Sequence, residues 1–211
     1  MSEITQASGV GTVNSVARYL DILQHMRLIT RRVPATEKQP EKSKKGRYRI
    51  DDHFLRFWFR YIHPNQSQFD LGLKDAIFEQ RILPDMDHFA ATAFETAAQG
   101  FVANLARSGK LTFLPDRVGA WWDREAEIDV LAVSHAEKTA LVGECKWSKN
   151  ALGTNILDDL KYKAQILMDK TEFKNVHYAL FARTGFTPAL EALAKAEGVG
   201  LFTVKSLVKR L

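Results

Sequence analysis

A single cysteine, Cys145, leaves no scope for an intramolecular disulfide framework or a cysteine-based zinc finger, and it fits a reducing compartment. No apolar run approaches the roughly 18 residues a membrane span requires, and no signal-peptide pattern opens the chain, so a cytoplasmic protein without membrane contact is expected. A phosphate-binding loop of the form G-x-x-x-x-G-K-S/T is missing, which argues against ATP hydrolysis by this chain. His63, His88, His135 and His177 show no metal-ligand spacing, and no Ser/His/Asp arrangement stands out. What remains is a composition of 45% hydrophobic and 26% charged residues over 211 positions, that of a globular chain with one large or two small cores.

Charge is unevenly placed. Residues 1–64 hold twelve Lys and Arg against six Asp and Glu, whereas residues 65–211 hold eighteen against nineteen. The basic excess therefore lies in the first third, as in a module facing nucleic acid, although ordinary surfaces also carry such an excess.

The most informative stretch is an acid-bearing hairpin. Glu127 to Val133 (EIDVLAV) and Thr139 to Trp147 (TALVGECKW) are rich in β-branched and apolar residues, with a short polar loop between them. Alternate strand residues share a face, so Glu127, Asp129, Leu131 and Val133 point one way and Ile128, Val130 and Ala132 the other. On the second strand Ala140, Val142, Glu144 and Lys146 share a face. A hairpin symmetric about its loop sets Val133 opposite Ala140 and Asp129 opposite Glu144, about 5 Å apart, with Lys146 about 7 Å further along. Facing carboxylates repel, so the arrangement asks for a cation, and hard oxygen ligands suit Mg²⁺ or Mn²⁺. The same residues also read as a structural ion pair on a sheet face. Glu127 is a spare carboxylate, and Cys145, on the apolar face, reads as a buried inert thiol.

Upstream, Asp87 to Arg107 predicts a helix whose Phe94, Ala97, Phe101 and Leu105 form an apolar stripe, with Glu95 beside it in line with Ala91, Ala98 and Val102. An acid on one strand followed by Glu-x-Lys on its partner, after a helix bearing a Glu, resembles the core of the PD-(D/E)XK nuclease superfamily. The strings SKKGRYRIDDHFLRFWFRYIHPN, AFE, EIDVLA and GECKW resemble more closely the C-terminal region of a group of prokaryotic DEXX-box (AAA-type) ATPases. In that group a winged helix precedes a nuclease-like domain of uncharacterised function.

The resemblance implies an α/β (α+β) chain: a partial winged helix with a bridging helix over residues 1–64, then a restriction-endonuclease-like mixed sheet flanked by helices over 65–211. It implies Asp129 and Glu144 as metal ligands, Cys145 as donor of a backbone carbonyl, Lys146 as the water-orienting cation and Glu95 as an outer or second-metal ligand. The activity implied is Mg²⁺- or Mn²⁺-dependent hydrolysis of phosphodiesters in DNA. A proline usual before the strand acid is replaced by Ile128. The alternative is a non-catalytic DNA-binding or regulatory module working with an ATPase partner or parent domain, since the nucleotide-binding domain of that group is lacking.

In chain order, helices at Glu3 to Ala7 and Thr12 to His25 make a helix-turn-helix pattern, and strands at Leu28 to Val33 and Arg47 to Ile50 flank a lysine-rich wing. This predicts nucleic-acid contacts from Asn14, Ser15 and Arg18 on the second helix and from Lys42, Lys44, Lys45 and Arg47 at the wing. The competing reading is a packing module with a solvated loop. The missing leading helix predicts an exposed apolar face near Val16 and Leu20 that favours homo-oligomers. His53 to Ile62, capped by Asp52, is apolar on two sides and predicts burial between neighbours. A helix over Lys74 to Leu83 ends at Pro84 and Asp85, and Lys110 to Leu114 reads as a strand. Trp121, Trp122 and Trp147 read as packing residues. After the hairpin come an amphipathic helix at Asn155 to Lys170, a buried strand at Asn175 to Ala182, a helix capped by Thr187 and a last strand at Gly200 to Val204. Lys161, Lys163 and Gln165 either border a substrate groove or form a solvated face.

Overall fold

The computed structural model describes residues 2–208. It divides into two compact units: Met1–Val33 with Ser43–Pro84, and Pro34–Lys42 with Asp85–Leu211. Among the described residues no helix is long and apolar enough to cross a membrane.

In the first unit, α1 (Ser2–Ser8) leads to α2 (Val13–His25), whose start is fixed by the Thr12 hydroxyl accepting from the Ser15 N–H. The strands β1 (Ile29–Arg32) and β2 (Arg47–Ile50) pair antiparallel. Val16 and Leu20 are buried with Ile29, against Ile4, Leu23, Tyr48 and Ile50. The apolar face expected to be open near Val16 and Leu20 is thus closed, and the exposed apolar residues nearby are Val13, Tyr19, Ile22 and Met26.

Two prolines pass without breaking their helices. The segment from α3 (His53–Phe57) continues as a π-helix over Trp58–Ile62 ahead of Pro64, and α5 (Lys74–Ile77) continues as a π-helix over Phe78–Ile82 ahead of Pro84. Between them lies α4 (Gln66–Asp70). A proline lacks the N–H that would satisfy the carbonyl four residues back, and its ring collides with that carbonyl. Widening the turn by one residue relieves both, with the His63 N–H reaching Trp58 O and the Leu83 N–H reaching Phe78 O. The helix expected to stop at Pro84 therefore runs straight into α6 (Leu83–Arg107). Phe54 and Phe59 are exposed, so the 53–62 helix is not buried on both sides, although Tyr61 is.

The first unit runs on to Pro84, beyond the 64/65 boundary read from the sequence. Buried Asn65 explains this: its amide donates to Tyr61 O at 2.7 Å and its carbonyl accepts from Arg81, tying 66–84 to the helix before it. Residues 34–42, sequentially the start of the wing, join the second unit. There the Ala35 N–H donates to Ala120 O at 2.8 Å and Arg117 donates to Glu37 O at 2.7 Å.

The second unit is a five-stranded mixed sheet in the order β3 (Arg117–Trp122), β4 (Glu127–Ser134), β5 (Thr139–Lys146), β6 (Asn175–Ala182), β7 (Gly200–Thr203). The first three strands run antiparallel as a meander, and β5, β6 and β7 run parallel. Helices α7 (Asn155–Asp169) and α8 (Pro188–Glu197) cover one face, packing Leu157, Leu160, Leu167 and Leu190 on Leu131, Val133, Ala140 and Val142. Helix α6 and the short α9 (Val204–Val208) cover the other, packing Phe94, Phe101, Val102 and Leu207 on Val130, Ala132, Leu141 and Phe181. Residues 110–114 are not a strand. Phe113 is buried beneath α6 while Leu114 is 75% exposed, and the edge of β4 they would need is taken by Arg117–Trp122.

Gly143 sits at the crowded centre of this sheet, where an added Cβ would lie 3.0 Å from Val130 Cβ and 3.1 Å from the Phe181 ring. Both neighbours are fully buried and have nowhere to retreat. Gly143→Ala is expected to lower stability by about 1–3 kcal/mol, measured by urea unfolding; an unchanged midpoint would show that the core yields.

Candidate functional site

The hairpin pairs as its symmetry requires, with Val133 opposite Ala140 and Leu131 opposite Val142, but the ladder ends at Val130 opposite Gly143, one pair short of Asp129 and Glu144. The reason lies on the other edge of β4. Register with β3 moves from Gly119 opposite Leu131 to Trp121 opposite Ile128, so Ala120 faces two residues, Val130 and Asp129. This is a β-bulge, a device that re-aims a side chain and ends pairing. It reverses the alternation expected from strict period two: Ile128 joins Leu131 and Val133 in the α7-side core, while Val130 and Ala132 lie in the α6-side core.

Released from the ladder, Asp129 turns its carboxylate onto the partner strand, where it accepts the Cys145 N–H at 2.9 Å. Its own carbonyl accepts from the Gln99 amide of α6 at 2.7 Å. Burial, the charge of Glu144 and that of Glu95 push its carboxyl up to about 7, against the opposing pull of the Cys145 N–H and Lys163. Burial and the same three carboxylates push the Cys145 thiol far up, so it is inert as a nucleophile.

Glu144, on the next strand, is 4% exposed and held by two ammonium groups. Lys146 reaches its Oε1 at 2.8 Å, and Lys163 of α7 reaches Oε1 at 2.9 Å and Oε2 at 2.8 Å. Burial opposes the charge on Lys146, but the hydrogen bond to Glu144 and the charges of Glu144 and Asp129 outweigh it and raise its pKa. Both lysines and Glu144 open onto a cavity of about 330 Å³, whose wall also carries Glu125, Glu127, Asp159 and Tyr162.

Glu95 comes from α6. Ala97, expected to face inward, is exposed, and Ala98 and Val102 are fully buried, so the buried face is turned toward the row that contains Glu95. Glu95 is half-buried and acts electrically on Asp129 and Cys145. Among the described residues no three His, Cys, Asp or Glu side chains gather as a metal-binding group.

Lys163 and Gln99 are the site residues that sequence reasoning undervalues. Gln99 stands one turn after Glu95, and Lys163 one turn after Asp159 on the α7 face that meets the cavity. Of the three polar residues of α7 given as groove border or solvated face, Lys161 pairs with Glu197 at 2.6 Å and Gln165 with Asp169 at 2.7 Å, leaving only Lys163 at the site. Trp147 packs between Phe94 and the Arg183 guanidinium, and Trp121 and Trp122 are buried, all as packing residues.

In the first unit Asn14 and Arg18 are exposed on α2, Lys44 and Lys45 are exposed ahead of β2, and Arg47 is exposed at its start. Ser15 is half-buried, with its hydroxyl 3.2 Å from the Thr12 hydroxyl at the helix cap, so it is less open than its helical position suggests. Lys42 is exposed but belongs to the second unit.

Comparison with known proteins gives three likenesses. The chain is 38% identical over 151 residues to the uncharacterized protein MJECL04 of Methanocaldococcus jannaschii, covering 71% of this chain and 33% of that protein. It thus spans about a third of the length of the curated relative it matches. A crystal structure of a repair endonuclease from Pyrococcus abyssi superposes with a TM-score of 0.36 at 21% identity, over 51% of this chain and 46% of that one. Residues 58–161, the span that contains Glu95, Asp129, Glu144 and Lys146, match the DUF234 family of archaeal and bacterial proteins of unknown function.

Proposed function

We propose that the open end of the hairpin is a metal-dependent nuclease site of the PD-(D/E)XK kind, hydrolysing phosphodiester bonds in DNA. The observation that carries this reading is Asp129, bulged out of its ladder and half-buried beside Glu144 and the Glu144-bound Lys146. A sheet gains nothing in stability from a carboxyl placed there at a cost in ionisation.

The support for a hard divalent cation is the chemistry of the donors, carboxylate and carbonyl oxygens, and not a preformed cluster of three acids among the described residues. Of these donors Glu144 opens onto the cavity, whose wall also carries Glu127 and Asp159. Asp129 and Glu144 with the Cys145 carbonyl would hold Mg²⁺ or Mn²⁺, with Glu95 as an outer carboxylate. Such an ion, when bound, would supply a Lewis acid for the phosphoryl oxygen and a bound water of lowered pKa. Lys146, anchored on Glu144, contributes fixed positive charge where the transition state becomes more negative and orients the attacking water. Gln99 and the Cys145 N–H keep Asp129 in place. In the first unit the partial winged helix would supply docking, with Asn14, Arg18, Lys44, Lys45 and Arg47 on phosphates and bases.

The test is incubation of labelled single-stranded, duplex and branched DNA with the intact chain and with Asp129→Asn, in Mg²⁺, Mn²⁺ and EDTA. Products that need metal and vanish in the variant are expected. Intact substrate in every lane after prolonged incubation sinks the reading. The double ammonium clasp on Glu144 favours a second reading, in which the ion cluster serves the fold of a non-catalytic DNA-binding module working with an ATPase partner. Its signature is a mobility shift that survives EDTA, is lost on replacing Arg18, Lys44 and Lys45 by alanine, and comes without cleavage.

A further inference from the structure

A metal ion approaching Glu144 in the arrangement it holds here meets positive charge at both its oxygens, each engaged by an ammonium group. The two lysines are not equivalent. Lys146 lies on β5 itself, two residues along, contacts one oxygen and has a side chain 42% exposed. Lys163 reaches in from α7, contacts both oxygens and is 26% exposed. It therefore blocks the carboxylate more completely, and it does so from a separate element on a flexible four-carbon stem.

We propose, resting on the metal-site reading above, that Lys163 is a positioning residue that clasps Glu144 in the metal-free chain and is displaced when a divalent cation takes that carboxylate. The physical argument is competition for one anion. A dication brought to the two oxygens that Lys163 holds is repelled by its ammonium at close range, so metal binding favours release of the lysine that spans both oxygens over Lys146, which touches one. The clasp also answers the cost of burying Glu144 without metal, since a buried carboxylate stripped of its partner is strongly unfavourable. Once displaced, the Lys163 ammonium remains on the wall of the same cavity as Lys146, placed to pass from the protein's anion to that of a phosphodiester entering there. Metal binding and phosphate binding are thereby coupled through one side chain.

The test is Mn²⁺ titration calorimetry without nucleic acid, with thermal melts in EDTA and in Mn²⁺, on the intact chain, Lys163→Gln and Lys163→Arg. Lys163→Gln is expected to bind Mn²⁺ about 10-fold more tightly than the intact chain, to melt earlier in EDTA and to regain its Tm in Mn²⁺. Lys163→Arg, which keeps a bidentate clasp, is expected to bind Mn²⁺ no more tightly than the intact chain. Equal Mn²⁺ affinity in Lys163→Gln and the intact chain overturns the clasp while leaving the metal site standing. So does a loss of Tm in Lys163→Gln that Mn²⁺ does not restore, which marks a structural ion pair. Absence of Mn²⁺ binding in all three proteins overturns the metal-site reading and the clasp with it.

Discussion

Lys146→Ala is expected to lower metal-dependent DNA cleavage by about 10²–10³-fold in kcat, the usual cost of removing one preorganised charge from a phosphoryl or acyl transition state. The fold should survive the change. Glu144 keeps two contacts from Lys163, and the Lys146 side chain is close to half exposed, so its deletion should shift stability by less than about 1 kcal/mol. Cleavage and urea unfolding measured on the same preparations separate the roles: a large drop in rate with an unchanged unfolding midpoint marks a catalytic group. Equal cleavage by both proteins would trace the activity to a contaminant. A parallel loss of rate and stability would make Lys146 a structural partner of Glu144.

Asp129→Asn is expected to stabilise the metal-free protein at neutral and alkaline pH. The folded chain holds the Asp129 carboxyl at about 7, above the ordinary aspartate value of 3.8, because its surroundings resist the charge. An acid whose folded pKa is raised favours the fold in its protonated state. Its contribution is therefore greatest below about pH 4, falls as pH rises towards 7 and is flat beyond. Asparagine keeps an oxygen for the Cys145 N–H and never ionises. The variant should exceed the parent by about 2–4 kcal/mol at pH 8 in EDTA, with the gap closing below about pH 4. Mn²⁺ should narrow the gap at pH 8 by stabilising the parent alone. A gap that does not depend on pH would show that Asp129 carries no such burden. Activity gained by stabilising and stability lost to activity are opposite sides of one design, and a buried acid retained at a net cost is the usual mark of a working site.

Much of the second unit was legible because local chemistry and tertiary packing agree there. β4, β5 and β6 are dense in β-branched and apolar residues, the 134–138 loop is short and polar, and Thr187 and Gly198 punctuate α8 through an N-cap and a left-handed C-cap. The hairpin register followed from its symmetry. The two prolines misled because a π turn absorbs them, and the residues ahead of Pro64 and Pro84 carry no signal that one will form. The strand expected at 110–114 failed because five residues with three apolar side chains say nothing about whether a sheet edge is free to receive them. Residues 34–42 looked like wing from their lysines and prolines, yet Ala35 is drawn to the second unit by one backbone bond to a carbonyl some eighty-five positions away.

What the sequence by itself determined is the order of elements, the hairpin and its register, and the identity of Asp129, Glu144 and Lys146 as neighbours, since period two and a short loop suffice to bring them together. What only the tertiary structure decided is how those groups are held. The bulge at Asp129 depends on how β3 meets β4, the field of Glu95 on the way α6 is turned, and the grip of Lys163 on α7 crossing the sheet above Glu144. Each is a contact between residues far apart in the chain, set by packing that no local pattern encodes.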